Sequence, residues 1–255
     1  MEDQFLQCSA CKKRYPLSKG KPNFINQESK YSDESGNQIE EMSKTSLLSK
    51  LYDIGKIVVN SGYAYERIIE EYVESSTATD VVIELGCGNR RLRDNVIGVD
   101  IFDFGYTDIL CDISELPMKN GIADIIILDS VIEHVPEPQK VIDNAYRILR
   151  PNGYLICRAP QVFHYHPYPK HYQNFTKDGL DYLMRNFTEC RVQISSGPTS
   201  MLTNLISEYV AQAFSPKSLL WYGFLKGMAL LPIFIFKYID LILNRISPGA
   251  INISS

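Results

Sequence analysis

Acidic side chains follow a series of short apolar runs in this chain, and their types and spacing could bind a ligand. Glu84 ends the first run, Asp100 the second, Asp112 the third and Asp129 the fourth. Ligands of open parallel sheets bind outside the carboxyl ends of the strands, so these acids would meet at one edge. Carboxylates there can accept hydrogen bonds from hydroxyl and amino groups.

A tight glycine turn, Gly86-Cys87-Gly88, comes directly after the first run. Glycine has no Cβ, so the backbone can approach a ligand closely. A dinucleotide site needs a third glycine at the start of a helix, whereas Asn89-Arg90-Arg91 follows here. The turn and Asp100 together favour an adenosine-bearing cofactor that lacks a pyrophosphate.

Strands and helices alternate around these residues. Apolar runs ending at 84, 100, 112 and 129, and a fifth over Tyr154–Arg158, predict strands. Helical spacing predicts helices within 43–74, over Pro138–Leu149 and over Thr176–Asn186. The pattern predicts an α/β fold with helices on both faces of a mostly parallel sheet.

Two early crossovers are unusually short. Residues 86–95 leave room for a helix of only one or two turns, and residues 101–108 leave room for none. We expect the helices of residues 43–74 to supply the missing apolar cover.

Five motifs in this order resemble the class I S-adenosylmethionine-dependent methyltransferases of type 11, over roughly Thr79–Phe187. They are ELGCG (84–88), VD (99–100), DISELP (112–117), DSVIEHV (129–135) and RILRPNG (147–153). The resemblance implies a Rossmann-like class I sheet with antiparallel C-terminal strands, and S-adenosyl-L-methionine as the cofactor.

The resemblance also implies a role for each motif residue. The methionine part of the cofactor would lie against Glu84, Gly86, Cys87 and Gly88. The ribose would lie against Asp100 and Ile101, and the adenine against Asp112 and Ile113. The sulfonium and amino group would lie against Asp129 and Ser130.

An aromatic and histidine-rich segment, Gln161–Phe175, follows the fifth run and is the candidate acceptor site. One interpretation is a lid with a base that deprotonates a hydroxyl acceptor; the other is an aromatic lid without proton transfer. A three-histidine metal site is disfavoured because Asp178 is its one nearby carboxylate, so no metal is expected. In Glu133-His134 a structural role of the histidine is favoured over a catalytic one. The candidate bases are His171, Tyr172, His166 and His164.

The N-terminal residues 1–28 resemble part of a zinc ribbon, with the knuckle Cys8-x-x-Cys11. Structural zinc requires four ligands, so a metal-free hairpin is favoured over zinc shared between two chains. We expect a linker over 29–42, a methyltransferase core with N-terminal helices over 43–195, and an apolar helical insertion with a short final strand over 196–255.

The apolar stretch 219–236 is interrupted by Lys226, and its charge-free run Gly227–Phe236 is ten residues long. A membrane-spanning helix needs about 20 residues. The stretch is therefore predicted either to lie in a membrane interface or to pack on the sheet or on a second chain, through residues 216–246. Pro232 is expected to kink it. Cys190–Ser195 and residues 250–253 are the candidate final strands, the second of them short.

Composition limits the functions further. A net charge of −4 gives no reason to expect nucleic acid, and six scattered cysteines favour a reducing cytoplasm, with a membrane-peripheral location as the alternative. We expect methyl transfer to a small-molecule, sugar or lipid-linked acceptor. The alternatives are a non-catalytic binding or assembly protein and a membrane-surface enzyme of lipid-linked intermediates.

Overall fold

The computed structural model describes residues 5–9, 11–25, 69, 71–166, 170–192, 197–214, 219–230 and 239. The chain divides into two compact units. The first comprises Met1–Lys44, Ile69–Arg158 and Pro167–Tyr172, and the second comprises Thr45–Ile68, Ala159–His166 and Gln173–Ser255.

The first unit is built on a five-stranded sheet that confirms the five predicted strands. In chain order they are β4 (Val82–Leu85), β5 (Val96–Asp100), β6 (Ile109–Leu110), β7 (Ala123–Asp129) and β8 (Leu149–Arg158). The order across the sheet is β6-β5-β4-β7-β8, and every neighbouring pair is parallel. Because β4 and most of β7 are buried on both faces, their sequences are continuous apolar runs rather than alternating ones.

Loops, not helices, connect the first three strands. Residues 86–95 form turns only, so the short helix considered there is absent, and residues 101–108 contain no helix, as expected. Arg91 links both loops: its guanidinium donates to the carbonyls of Val96 (2.9 Å) and Tyr106 (3.3 Å) and to Asp108 (2.6 Å). These hydrogen bonds fix the loops where helix packing would ordinarily do so.

Helix α1 (Pro138–Ile148) packs against β8 and begins with proline in its first turn. Val141, Ile142, Ala145 and Ile148 are buried, and their helical spacing places them on one face of the helix. The helix ends one residue before the predicted boundary because Leu149 already begins β8.

Of the helices predicted within 43–74, only Ile69 and residues 71–75 are described, and they are helical. Val73 is buried, and the Tyr72 ring lies 4.9 Å from the ring of Tyr154 on β8. Glu74 pairs with Arg93 at 2.6 Å. The rest of the prediction lies outside the described residues.

The N-terminal segment forms an antiparallel sheet of β1 (Phe5–Gln7), β2 (Arg14–Ser18) and β3 (Lys21–Pro22). It meets the edge of the large sheet, where the Phe24 amide donates to the Leu110 carbonyl at 2.8 Å and Lys21 pairs with Asp103 at 2.7 Å. Cys8 and Cys11 flank the turn between β1 and β2, and zinc binding by them stays a prediction.

The second unit contains α2 (Lys177–Leu183), α3 (Pro198–Phe214) and α4 (Leu219–Leu230). Thr176 caps α2 by accepting from the Gly179 amide at 3.1 Å. None of the described helices is long and apolar enough to cross a membrane.

The predicted strand over Cys190–Ser195 is not formed at residues 190–192, which are irregular. Residues 193–195, Pro232 and the predicted strand at 250–253 lie outside the described residues.

Candidate cofactor site

The parallel register brings the predicted acids to the same edge of the sheet. Leu85 pairs with Val99 on one side and with Leu128 on the other, so Glu84, Asp100 and Asp129 stand at the ends of three adjacent strands. Glu84 is 2% exposed and Asp100 8% exposed. Burial raises the pKa of Glu84 to about 7, because the charged form loses water, although Arg90 opposes the shift.

Asp100 holds the glycine turn against β5. Its two carboxylate oxygens accept from the amides of Gly88 (2.9 Å) and Phe102 (3.0 Å). A carboxylate oxygen has two lone pairs, so each can accept a second hydrogen bond. Burial raises the pKa of Asp100, while these amide bonds lower it. Ile101, which follows in the same loop, is half-buried.

Gly86 and Gly88 have φ angles of +77° and +59°, which other residues rarely adopt. A Cβ on Gly86 would lie 2.5 Å from Val131 Cγ2, whereas a Cβ on Gly88 would meet nothing within 4 Å. Gly86 is therefore required by the packing of the turn against the loop after β7, and Gly88 leaves space beside Asp100.

Cys87 contributes differently from the expectation. Its side chain is buried and its thiol lies 3.8 Å from the Thr107 hydroxyl, so the sulfur points into the core. Burial raises the pKa of this thiol to about 12. Only the backbone of Cys87 is available to a ligand.

Asp112 and Ile113 lie where β6 ends. Asp112 Oδ1 accepts from the Ser114 amide (2.8 Å) and hydroxyl (2.7 Å), which starts a 3-10 turn over Ile113–Glu115. Oδ2 of Asp112 has no hydrogen bond within the described part of the chain. Ile113 is buried.

Asp129 lies between two arginines. Arg158 donates to it through Nε at 2.6 Å, and Arg90 donates to both Asp129 and Glu84, the latter at 3.2 Å. Ser130 follows with a φ of +57°, and its amide donates to the Arg158 carbonyl at 3.0 Å. Backbone strain of this kind clusters at functional sites.

Sequence reasoning missed both arginines. Arg158 pairs with Asp129 across β7 and β8, and the sequence did not define this register. Arg90 lies in the segment Asn89-Arg90-Arg91, which lacks the third glycine of a dinucleotide site, and that pattern predicts no contact for it.

These residues fit an adenosine-bearing cofactor. The carboxylates of Asp100 and Asp112, after β5 and β6, retain acceptor capacity, and Gly88 opens space beside the first of them. A shallow depression of about 590 Å³ lined by residues 91–95 and Tyr106 contains none of the predicted cofactor residues.

The candidate bases divide between the two units. His171 and Tyr172 belong to the first unit, where the Tyr172 amide donates to the Glu133 carbonyl at 2.9 Å and the His171 ring lies 5.9 Å from that of His134. His134 Nδ1 bonds the Lys170 carbonyl at 2.6 Å. Burial raises the pKa of Glu133 to about 8.

His164 and His166 belong to the second unit. The His164 ring stacks on Phe163 at 4.4 Å, and its Nε2 lies 3.7 Å from Oε2 of Glu208. His166 Nδ1 bonds the His164 carbonyl at 2.9 Å. No pattern in the sequence points to Glu208, which lies on α3 more than forty residues further along the chain.

Glu208 is buried at the junction of α3 and α4. It accepts from Lys226 (2.7 Å), Gln212 (2.8 Å) and the Tyr222 hydroxyl. Burial alone would raise the pKa of Glu208, but these hydrogen bonds outweigh it and bring the pKa to about 2. Glu208 is therefore a permanent anion at neutral pH.

The parallel sheet in the order β6-β5-β4-β7-β8, with acids at its carboxyl edge, has the fold of the class I S-adenosylmethionine-dependent methyltransferases. Residues 67–157 match a family described as a methyltransferase domain.

Two solved structures illustrate the likeness. A phosphoethanolamine N-methyltransferase 2 of Haemonchus contortus, solved with phosphomonomethylethanolamine and S-adenosylhomocysteine, is 12% identical, with 82% of this chain and 58% of that chain covered and a TM-score of 0.50. A methyltransferase of Thermotoga maritima, described as a possible histamine N-methyltransferase, is 20% identical over 58% of this chain and 79% of that chain, with a TM-score of 0.42.

A curated relative, an uncharacterized 37.1 kDa protein in transposon TN4556 of Streptomyces fradiae, is 34% identical over 71 residues. That match covers 28% of this chain and spans 19% of the relative's length.

Proposed function

We propose that this chain transfers a methyl group from S-adenosyl-L-methionine to a small-molecule, sugar or lipid-linked acceptor. The observation that carries the proposal is Asp100, a buried carboxylate at a strand end that accepts from the amides of Gly88, Phe102 and Ile101, and whose two oxygens offer about four acceptor sites in all. A pair of vicinal hydroxyls, such as those of a ribose, matches this acceptor set.

When bound, the cofactor supplies an activated methyl group. The protein binds and orients the cofactor and the acceptor, and it excludes water from them. Asp100 and Asp112 would hold the ribose and the adenine amine, and the turn Gly86–Gly88 would approach the methionine end. Glu84 and Asp129 lie at the adjoining strand ends, where they favour cationic groups.

The test is calorimetric titration of the full chain with S-adenosylhomocysteine. We expect binding by the wild type and a loss of about 10- to 100-fold in D100N, since one charged acceptor is replaced by an amide that also presents a donor. D103N is the matched control, because Asp103 lies three residues further on but pairs with Lys21. No binding by the wild type at millimolar ligand would favour the non-catalytic interpretation.

For acceptors that must lose a proton, we infer that His171 or Tyr172 is the base among the four candidates, because these two residues belong to the same unit as the cofactor residues. The Tyr172 amide donates to the Glu133 carbonyl at 2.9 Å, which fixes this segment against the loop after β7.

Methyl transfer from labelled cofactor to an extract of small molecules and lipids tests this assignment. H171A, Y172F or both should lower the labelling while S-adenosylhomocysteine binds normally, and H164A should not. Equal labelling by H171A, Y172F and the wild type would leave His171 and Tyr172 in an aromatic lid without proton transfer.

The exposed face of α4 favours lipid-linked acceptors over water-soluble ones. Trp221, Phe224 and Met228 recur at helical spacing on one face, and all three are more than half exposed. Aromatic side chains of this kind bind at the boundary of headgroups and acyl chains. Flotation with anionic liposomes should recover the wild type but not W221S/F224S. Y146S, which alters an aromatic residue on α1 that is 48% exposed, is the control. Equal flotation of all three proteins would refute the proposal that the enzyme acts at a membrane surface through α4.

A further inference from the structure

Arg90 is the one guanidinium that the structure places between the acids of two different strands at the cofactor edge of the described sheet. Its Nη2 donates to Glu84 of β4 at 3.2 Å and to Asp129, the last residue of β7. Glu84 is 2% exposed and the Asp129 side chain 4% exposed, so both acids are shielded from water. Burial lowers the pKa of Arg90, but Asp129 and Glu84 outweigh this and raise it, so the residue stays charged.

Two arginines face Glu84 and Asp129. Arg158 pairs with Asp129 from the other side at 2.6 Å, and Arg90 donates to both acids. An acidic edge alone would favour the ammonium group of an amino acid but repel its carboxylate. With Arg90 in place, the same edge presents a cation beside the anions.

The unused part of the guanidinium points to a ligand. Among the described residues, only Nη2 of Arg90 forms hydrogen bonds, which leaves Nε and Nη1 as donors. The side chain as a whole is 47% exposed, so part of it is open to a ligand. Other basic side chains of the neighbouring loops are engaged: Arg91 with Asp108, and Arg93 with Glu74.

We propose that Arg90 binds the α-carboxylate of the amino-acid end of the cofactor, while Glu84 and Asp129 bind its ammonium group. This inference depends on the proposed function, since it assigns one part of that cofactor. Arg90 then selects ligands that carry an intact amino acid, because a guanidinium recognises a carboxylate with charge-assisted hydrogen bonds.

The test compares S-adenosylhomocysteine with its decarboxylated analogue by calorimetry on the full chain. In R90Q we expect the affinity for S-adenosylhomocysteine to fall about 10- to 100-fold, the effect of a lost charged hydrogen bond. The affinity for the decarboxylated analogue should stay equal or increase, because the acids no longer share a cation. R93Q, three residues further on, should change neither affinity.

Two outcomes would overturn the inference. An equal loss for both ligands in R90Q would make Arg90 a support of the glycine turn, and unchanged binding of S-adenosylhomocysteine would remove it from the site. If R90Q does not fold, R90K is used instead, because lysine keeps the charge but lacks the paired N–H donors of a guanidinium. R90K must then lower the affinity for S-adenosylhomocysteine more than the affinity for the analogue. Absence of binding by the wild type refutes the proposed function itself, so the two failures are distinguishable.

Discussion

Replacement of Gly86 by alanine gives the strictest test of how the turn is built. The residue has a φ of +77°, which costs a residue with a Cβ about 1–2 kcal/mol. The new methyl group would also lie 2.5 Å and 2.7 Å from the two Cγ atoms of Val131, and overpacking of this kind costs about 1–3 kcal/mol. We therefore expect G86A to lower the free energy of unfolding by about 2–5 kcal/mol.

The assay is urea unfolding followed by circular dichroism, with G121A as the control. Gly121 also has a positive φ, +65°, but a Cβ there meets nothing within 4 Å, so G121A should lose only the backbone cost. V131A should restore about 1–2 kcal/mol to G86A by removing the overlapping methyl groups, and should restore nothing to G121A. Equal losses in G86A and G121A, or no rescue by V131A, would refute the packing of this turn against the loop after β7.

Three further predictions concern charges and loops. In the folded chain Glu84 has a pKa near 7, above its unfolded value of 4.5, so its protonated form stabilises the fold below pH 4.5 and this contribution is lost as the pH rises through 7. The free energy of unfolding of E84Q, relative to that of the wild type, should therefore rise by about 2–3 kcal/mol as the pH goes from 5 to 8, measured by urea unfolding. A difference between the two proteins that stays constant over this range would contradict the burial of the charge. Glu208, with a pKa lowered to about 2, stabilises the second unit above pH 4.5 and loses this contribution as the pH falls through 2. K226M should cost about 2–3 kcal/mol at pH 7 and less at pH 3, and an equal cost at both would show that Lys226 acts by packing alone. R91A should accelerate amide hydrogen exchange in residues 86–108 without affecting α1, and unchanged exchange would mean that other contacts hold these loops.

The strands could be predicted because a strand that is buried on both faces has apolar residues at consecutive positions, which form an unbroken apolar run in the sequence. Each of the five runs became a strand, and the acids at 84, 100 and 129 came together because parallel register aligns carboxyl ends. The inward face of α1 followed from helical spacing in the same way. These features depend on local pattern alone.

Contacts between residues distant in sequence could not be predicted. Arg90 meets Asp129 and His164 meets Glu208 only because the fold brings them together. Three hydrogen bonds of Arg91 hold these loops in place of a helix, and no periodicity in the sequence predicts them. For Cys87 the motif indicated a ligand contact, but Gly98 leaves room for the thiol to pack into the core instead.

A crystal structure of the chain with S-adenosylhomocysteine tests the central claim most directly. We predict ribose hydroxyls within hydrogen-bond distance of Asp100, the adenine amine at Asp112 Oδ2 and the amino acid beside Glu84. A nucleoside bound away from the carboxyl ends of β4, β5 and β6, or crystals that take up no ligand at millimolar concentration, would contradict it.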